Sequence, residues 1–233
     1  MALFNSGRYQ DCFTLVSQYV NDHPDSATAH KLLGMDQYML GHPKEALAEV
    51  TRATQLAPAD ADARYYLGRL YFSADNAPAA LDAFKETIAL DPSSVRAHAQ
   101  LGQTYEALGR FSEAEAAYRT AIRLENDQPK KSGWPDYNLG VLLLNDGRTA
   151  EAVKCFRQAL QCDSKFPEAK IKLAEAISKN EPVPEAFDLL YDAIRLDPQN
   201  SEAHYRLAVL LSKSGKREEA KEQFALFQKF RKH

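Results

Sequence analysis

The sequence predicts an all-α fold, a right-handed superhelical solenoid of antiparallel helix hairpins, and three spacing ladders predict it. Leu-Gly pairs stand at Leu33-Gly34, Leu67-Gly68, Leu101-Gly102 and Leu139-Gly140, continued by Leu173-Ala174 and Leu207-Ala208, in steps of 34, 34, 38, 34 and 34 residues. Ala46, Ala80, Ala114, Ala152, Ala186 and Ala220 keep the same rhythm. Prolines form the third ladder at Pro24, Pro58, Pro92 and Pro198, whose last gap of 106 is three periods plus the same four extra residues. Ladders that agree even on where an insertion falls describe one supersecondary unit repeated in tandem.

Each ladder has a physical reading. Small residues such as Gly34 and Ala46 let two antiparallel helices approach closely, while Leu33, Tyr71 and Phe84 fill the space between hairpins. Proline after each second helix cannot extend it, so Pro58 and Pro92 end a helix and open a turn. Asp91 and Asp197, each before a proline, suit that turn. Gly41, Gly109, Gly147 and Gly215 stand where the first helix should stop, as left-handed caps. Between these marks apolar residues recur at three and four, as in Ala80, Leu81, Phe84 and Ile88.

Composition excludes several function classes. A 45% hydrophobic fraction supports a folded core, and a net charge of −3 offers no electrostatic case for nucleic acid or an anionic membrane. No apolar run approaches the roughly 20 residues a bilayer span requires. The start, MALFNSGRYQ, lacks the pattern of a signal peptide. Cys12, Cys155 and Cys162 are odd in number and fit no metal-ligand spacing, which predicts reduced, packed thiols and a cytoplasmic protein.

The motifs L-G-x-x-Y at Leu67-Gly68-Tyr71 and Leu101-Gly102-Tyr105, followed by A-x-x-x-F…P at Ala80-Phe84-Pro92, resemble the tetratricopeptide repeat. The resemblance covers essentially the whole of residues 1–233 as a single array. It departs at Leu143 and Ser164, and at Glu181-Pro182-Val183-Pro184 in place of a glycine turn. In the family's register full repeats begin at 27, 61, 95, 133, 167 and 201, with a half repeat over 1–26 and a four-residue insertion within 125–133. An array that opens in mid-repeat is the pattern of a piece of a longer chain. A periplasmic or membrane-anchored location then becomes an alternative to the cytoplasm.

The resemblance implies that the first helix of each hairpin lines a concave groove and that ligands bind there. Positions two, five, six, nine and thirteen of each repeat face it. The candidate binding residues among them are Tyr65, Tyr66, Arg69, Arg96, Gln100, Gln103, Trp134, Tyr137, Asn138, Lys172 and Arg206. Tyrosine, arginine and tryptophan dominate binding hot spots, so this set points to a protein or peptide partner. The family's clamp for chaperone carboxylates is not matched. Ala99 and Gln103 stand where Lys and Asn belong, and Glu168 stands in a lysine place. A continuous asparagine ladder is missing too.

Catalysis, metal and cofactors are not expected. His30, His98 and His204 occupy the fourth place of non-adjacent repeats and cannot share a metal, so packing is their expected role. No nucleophile elbow, phosphate loop or HExxH pattern occurs. Acidic pairs such as Glu113 with Glu115 lie at helix starts, where they complement the dipole. The insertion ENDQPKKSG is expected to be a plain loop. A sharper reading has it shift Trp134 into the groove beside Lys130 and Lys131.

The expected function is therefore a non-catalytic protein- or peptide-binding scaffold. One alternative is an assembly module whose ends drive homo-oligomerisation, since Phe224, Phe227 and Phe230 have no following repeat to cover them. Another is the non-catalytic region of a larger enzyme or envelope protein.

Overall fold

Helix formation follows directly from the punctuation in the chain. Ser26, Asp60 and Asn200 cap helix starts, their side-chain oxygens accepting from the backbone N–H of Ala29, Ala63 and Ala203 at 3.4, 3.0 and 3.0 Å. In the computed structural model, which describes the backbone of residues 2–231 and the side chains of 4–231, these caps open α-helices, and no strand occurs among the described residues.

The chain divides into two compact units. The first, up to Leu124, holds α1 (Ala2–Asn5) and α2 (Tyr9–Asp22). It continues with the hairpins α3 (Ala27–Met39) with α4 (Pro43–Leu56), α5 (Ala61–Ser73) with α6 (Ala77–Leu90), and α7 (Val95–Ala107) with α8 (Phe111–Asn126), whose last two residues belong to the second unit. The second unit, from Glu125, holds α9 (Trp134–Asn145) with α10 (Thr149–Cys162), α11 (Pro167–Ile177) with α12 (Pro184–Leu196), and α13 (Ser201–Lys213) with α14 (Arg217–Phe230). The division falls at the head of the insertion. Each unit is a stack of antiparallel helix hairpins, the arrangement of an all-α solenoid.

The alanine ladder explains the closeness of each hairpin. All six alanines are buried to 2% exposure or less, so second helices present almost bare backbone to their neighbours. Opposite them the glycines of the Leu-Gly pairs receive one large side chain each. Gly34 faces Val50, Gly68 faces Phe84, Gly102 faces Tyr118 and Gly140 faces Phe156, all closer than a Cβ would allow.

Turn chemistry is equally regular. Gly41, Gly109, Gly147 and Gly215 take φ of +84°, +70°, +78° and +79°, the left-handed caps expected of them. In the α5–α6 turn Asp75 takes that conformation at φ +56°. A Cβ is strained there, and aspartate tolerates it only because its short side chain can bond locally. Asp75→Gly is expected to raise stability by up to about 1 kcal/mol. Thermal unfolding checks this, and a lowered midpoint would count against it.

The three fourth-place histidines do more than pack. Their Nε2 atoms donate to the carbonyls of Pro24, Pro92 and Pro198 at 2.9, 3.2 and 3.1 Å, six residues back. Each imidazole thus ties the turn to the helix that follows it. The Phe224, Phe227 and Phe230 rings are half-buried, because they turn back onto α13. Phe224 and Phe227 lie 6.1 and 5.1 Å from Tyr205, and Phe230 lies 5.5 Å from His204. They do not form the bare apolar end that the sequence suggests. No helix among the described residues is long and apolar enough to cross a membrane.

Candidate functional site

First helices carry the candidate binding residues, and in the first unit these are α3, α5 and α7. Tyr65 corrects the sequence reading. Only 7% exposed, it lies edge-on to Tyr66 at 5.5 Å and tilts onto Phe84 at 5.9 Å. The Arg96 guanidinium covers its face at 4.2 Å. Tyr65 therefore supports the surface and does not form it.

Charge pairing decides which cations remain available. Arg96 pairs with Asp62, and Lys31 bridges Asp60 at 2.8 Å and Asp62 at 3.1 Å, so a Lys31–Asp62–Arg96 chain links α3, α5 and α7. Burial alone would lower the Lys31 pKa, but Asp60 and Asp62 together hold it above the ordinary lysine value. Gln100 donates to Gln103 at 2.8 Å along α7. Arg69 differs from these. It is exposed, lies 6.0 Å over the Tyr38 ring, and makes no ion pair among the described residues.

Arg69 and half-buried Tyr66 border a cavity of about 180 Å³ in this unit. Its other walls are Phe4, Tyr9, Gly34, Met35, Tyr38, Met39, Val50 and Leu70. Sequence reasoning missed this apolar pocket. Met35 and Met39 occupy places nine and thirteen of the repeat that begins at Ala27, so the positional rule could have found them. The set kept polar and aromatic types and passed them over.

In the second unit Trp134 is 48% exposed, packed against Tyr137 at 5.5 Å and Phe166 at 4.5 Å. Tyr137 also meets Phe166 at 5.2 Å and Phe156 at 6.0 Å, and Asn138 beside it is half-buried. Lys172 and Arg206 belong to a charge lattice between α11 and α13. Lys172 reaches Glu175 at 3.2 Å and Glu202 at 2.8 Å; Arg206 reaches the same pair at 2.9 and 3.5 Å. Burial opposes the Glu202 charge, yet Lys172 and Arg206 hold its carboxyl below the usual glutamate value. These two cations are already neutralised. The structure thus brings Tyr65, Tyr66 and Arg96 together in one unit, and Trp134 with Tyr137 and Lys172 with Arg206 in the other.

The insertion is not a plain loop. Glu125 turns inward at 4% exposure, its Oε1 accepting from Ser132 N at 3.0 Å and Ser132 Oγ at 2.6 Å, and its Oε2 from Gly133 N at 3.3 Å. Lys131 folds onto Asn126 Oδ1 at 2.7 Å and does not reach out with Trp134. Ligand atoms of Glu125, Asp136 and Cys162 fall within 4.8 Å of one another, a juxtaposition that motif spacing did not reveal.

Comparison with known proteins is consistent across the chain. The family model described as the cilia and flagella-associated protein 70 C-terminal domain matches residues 9–229. Among curated relatives, protein O-mannosyl-transferase TMTC3 of Mus musculus is 31% identical over 146 residues, covering 56% of this chain. The Drosophila melanogaster homolog of BBSome complex member BBS4 is 27% identical over 157 residues, covering 63% of this chain. The chain spans only 15% of the first and 32% of the second. Among solved structures, the APC/C hetero-tetramer Cut9-Hcn1 aligns with TM-score 0.82 at 17% identity, covering 98% of this chain and 44% of that one. YrrB, described as a TPR protein with an unusual peptide-binding site, aligns with TM-score 0.58 at 21% identity, covering 78% of this chain and 91% of that one. The hairpin stack, the motif ladders and the family match agree: the chain belongs to the tetratricopeptide-repeat family described as the cilia and flagella-associated protein 70 C-terminal domain, a protein-interaction repeat module.

Proposed function

We propose that this chain is a non-catalytic scaffold that binds an extended peptide or a partner's helix on its first helices. In this reading, an apolar anchor of the partner enters the cavity beside Arg69. One observation carries it: Tyr66, Met35, Met39 and Leu70 form an apolar pocket at whose rim stands a cation with no ion pair among the described residues. Apolar side chains fill such a pocket, and a carboxylate next to the anchor gains a charge-assisted contact with the guanidinium. The description of YrrB as having a peptide-binding site lends the reading support by analogy. The reading extends to a single array over residues 1–233, with full repeats opening at 27, 61, 95, 133, 167 and 201. Trp134, Tyr137 and Asn138 would add a second aromatic contact surface. The terminal phenylalanines are half-buried against α13, which leaves part of each ring for the alternative, assembly through the ends.

Tyr66→Ala and Arg69→Glu are each expected to weaken partner binding at least about tenfold, the scale of a hot-spot residue. Lys172→Ala and Arg206→Ala should change it less than about threefold, because intrachain carboxylates already neutralise both cations. Affinity purification from the native host, followed by titration of the recovered partner, reads both. Undiminished binding by the Tyr66→Ala, Arg69→Glu double variant would remove this pocket from the function.

A further inference from the structure

In four repeats the fourth residue meets a side chain on the second helix of its own hairpin, and the partners follow a pattern. His30 Nδ1 meets Glu49 at 2.6 Å, Arg64 meets Glu86 at 2.7 Å, Lys170 meets Asp192 at 3.2 Å, and His204 Nδ1 meets the Gln223 side chain at 2.7 Å. Each of these places sets a nitrogen group against an oxygen. The hairpin α9–α10 breaks the pattern. Its fourth residue is Asp136, an acid, and opposite it are the Cys162 thiol and a second acid, Glu125. The nitrogen group that those four hairpins place there is missing.

Asp136 is only 7% exposed and accepts no hydrogen bond among the described residues, although its carboxylate faces the cluster. A buried carboxylate in that state is costly unless a proton or a cation completes it. Lys131 stands near enough to act electrostatically on Asp136, but its ammonium is bonded to Asn126 and makes no ion pair with either acid. Glu125 is held in place by Ser132 and Gly133, as residues that support a metal hold their ligands. Gly133 also lets the loop close on α10: a Cβ there would lie 2.7 Å from the Ala159 carbonyl oxygen and 3.2 Å from Cys162 Cβ.

We propose that Glu125, Asp136 and Cys162 form a site for a thiophilic divalent metal ion of the zinc type, with solvent as the fourth ligand. The donor set decides the class. Two carboxylates and one sulfur suit Zn²⁺ or Co²⁺, whereas Ca²⁺ and Mg²⁺ require six or more oxygens. Tetrahedral bonds of about 2.0–2.3 Å place ligand atoms roughly 3.3–3.7 Å apart, so groups that lie within 4.8 Å of one another would draw in by up to roughly 1.5 Å to complete the site. A bound dication would offset the repulsion between the two buried carboxylates and deprotonate the thiol it coordinates. Structurally, such an ion would staple the insertion to α9 and α10.

The experiment uses the full chain, free of any affinity tag, stripped with a chelator and titrated with Co²⁺. The expected result is a thiolate-to-cobalt charge-transfer band that saturates at one equivalent and is displaced by Zn²⁺. The band should be lost in Cys162→Ala, retained in Cys155→Ala, and shifted at least tenfold to weaker binding in Asp136→Asn, each variant checked for helicity. Saturable binding that leaves the Cys162→Ala band unchanged would overturn the proposal. So would the lack of any band in folded wild-type protein, a result that needs no variant.

Discussion

Gly102→Ala is expected to lower the stability of the first unit by about 2 kcal/mol, although alanine is the better helix former by about 1 kcal/mol. The Cβ would sit 2.4 Å from Tyr118 Cε1 and 2.6 Å from Cδ1. The ring cannot retreat. It is fully buried, and its hydroxyl donates to Glu106 on the other helix of the hairpin. The second unit shows how the clash is avoided. Ala174 stands at the equivalent place of α11, and Leu190, sixteen residues on, stands where Tyr118 stands relative to Gly102. Both are buried in one cluster. Tyr118→Leu alone should also destabilise, since it leaves a cavity and removes the donor to Glu106. Combined with Gly102→Ala it should recover at least about 1 kcal/mol of the summed loss. Urea unfolding of the four proteins measures the coupling. Strict additivity, or a Gly102→Ala protein as stable as wild type, would show that the small-residue ladder is not set by this contact.

Asp36→Asn is expected to stabilise the protein at neutral pH by about 1 kcal/mol or more, because it replaces a buried charge by a neutral amide that costs less to desolvate. Asp36 lies on α3 at 0% exposure, and neither carboxylate oxygen has a hydrogen-bond partner of good geometry. The side chain facing it is the buried Cys12 thiol, which burial, and then Asp36, push up to about 11. Burial raises the Asp36 carboxyl above its ordinary value of 3.8. The folded state therefore binds this proton more tightly than the unfolded chain. Stability from Asp36 is complete below the ordinary carboxylate range and is lost as pH rises through the raised pKa. Asparagine removes that loss, so the gap between variant and wild type should shrink on acidification. A destabilised Asp36→Asn protein at pH 7 to 8 would mean that the charge has a partner that holds it.

How much of this was legible beforehand differs from residue to residue. The glycine turns at Gly41, Gly109, Gly147 and Gly215 could be placed because a left-handed backbone selects its residue locally. The same local logic failed at Asp75, which adopts that backbone without being glycine. Tyr65 and Tyr66 are adjacent in sequence and alike in chemistry, yet one is buried and the other half-buried. Arg96, from a different helix, lies 4.2 Å over the Tyr65 ring and 5.9 Å over Tyr66.

What the sequence by itself determined is the repeating hairpin. Its signals are periodic and short in range: a stop at proline, a cap at serine or aspartate, a small residue wherever two helices touch. Tertiary structure alone decided which charges are spent and which remain. Arg69 and Arg206 are equivalent in chemistry, but only Arg206 meets carboxylates from its own and a neighbouring helix. Glu125, Asp136 and Cys162 lie on three helices, and no spacing rule relates them. Coulomb and contact energies depend on separations of a few ångströms between residues far apart in the chain, and packing sets those separations.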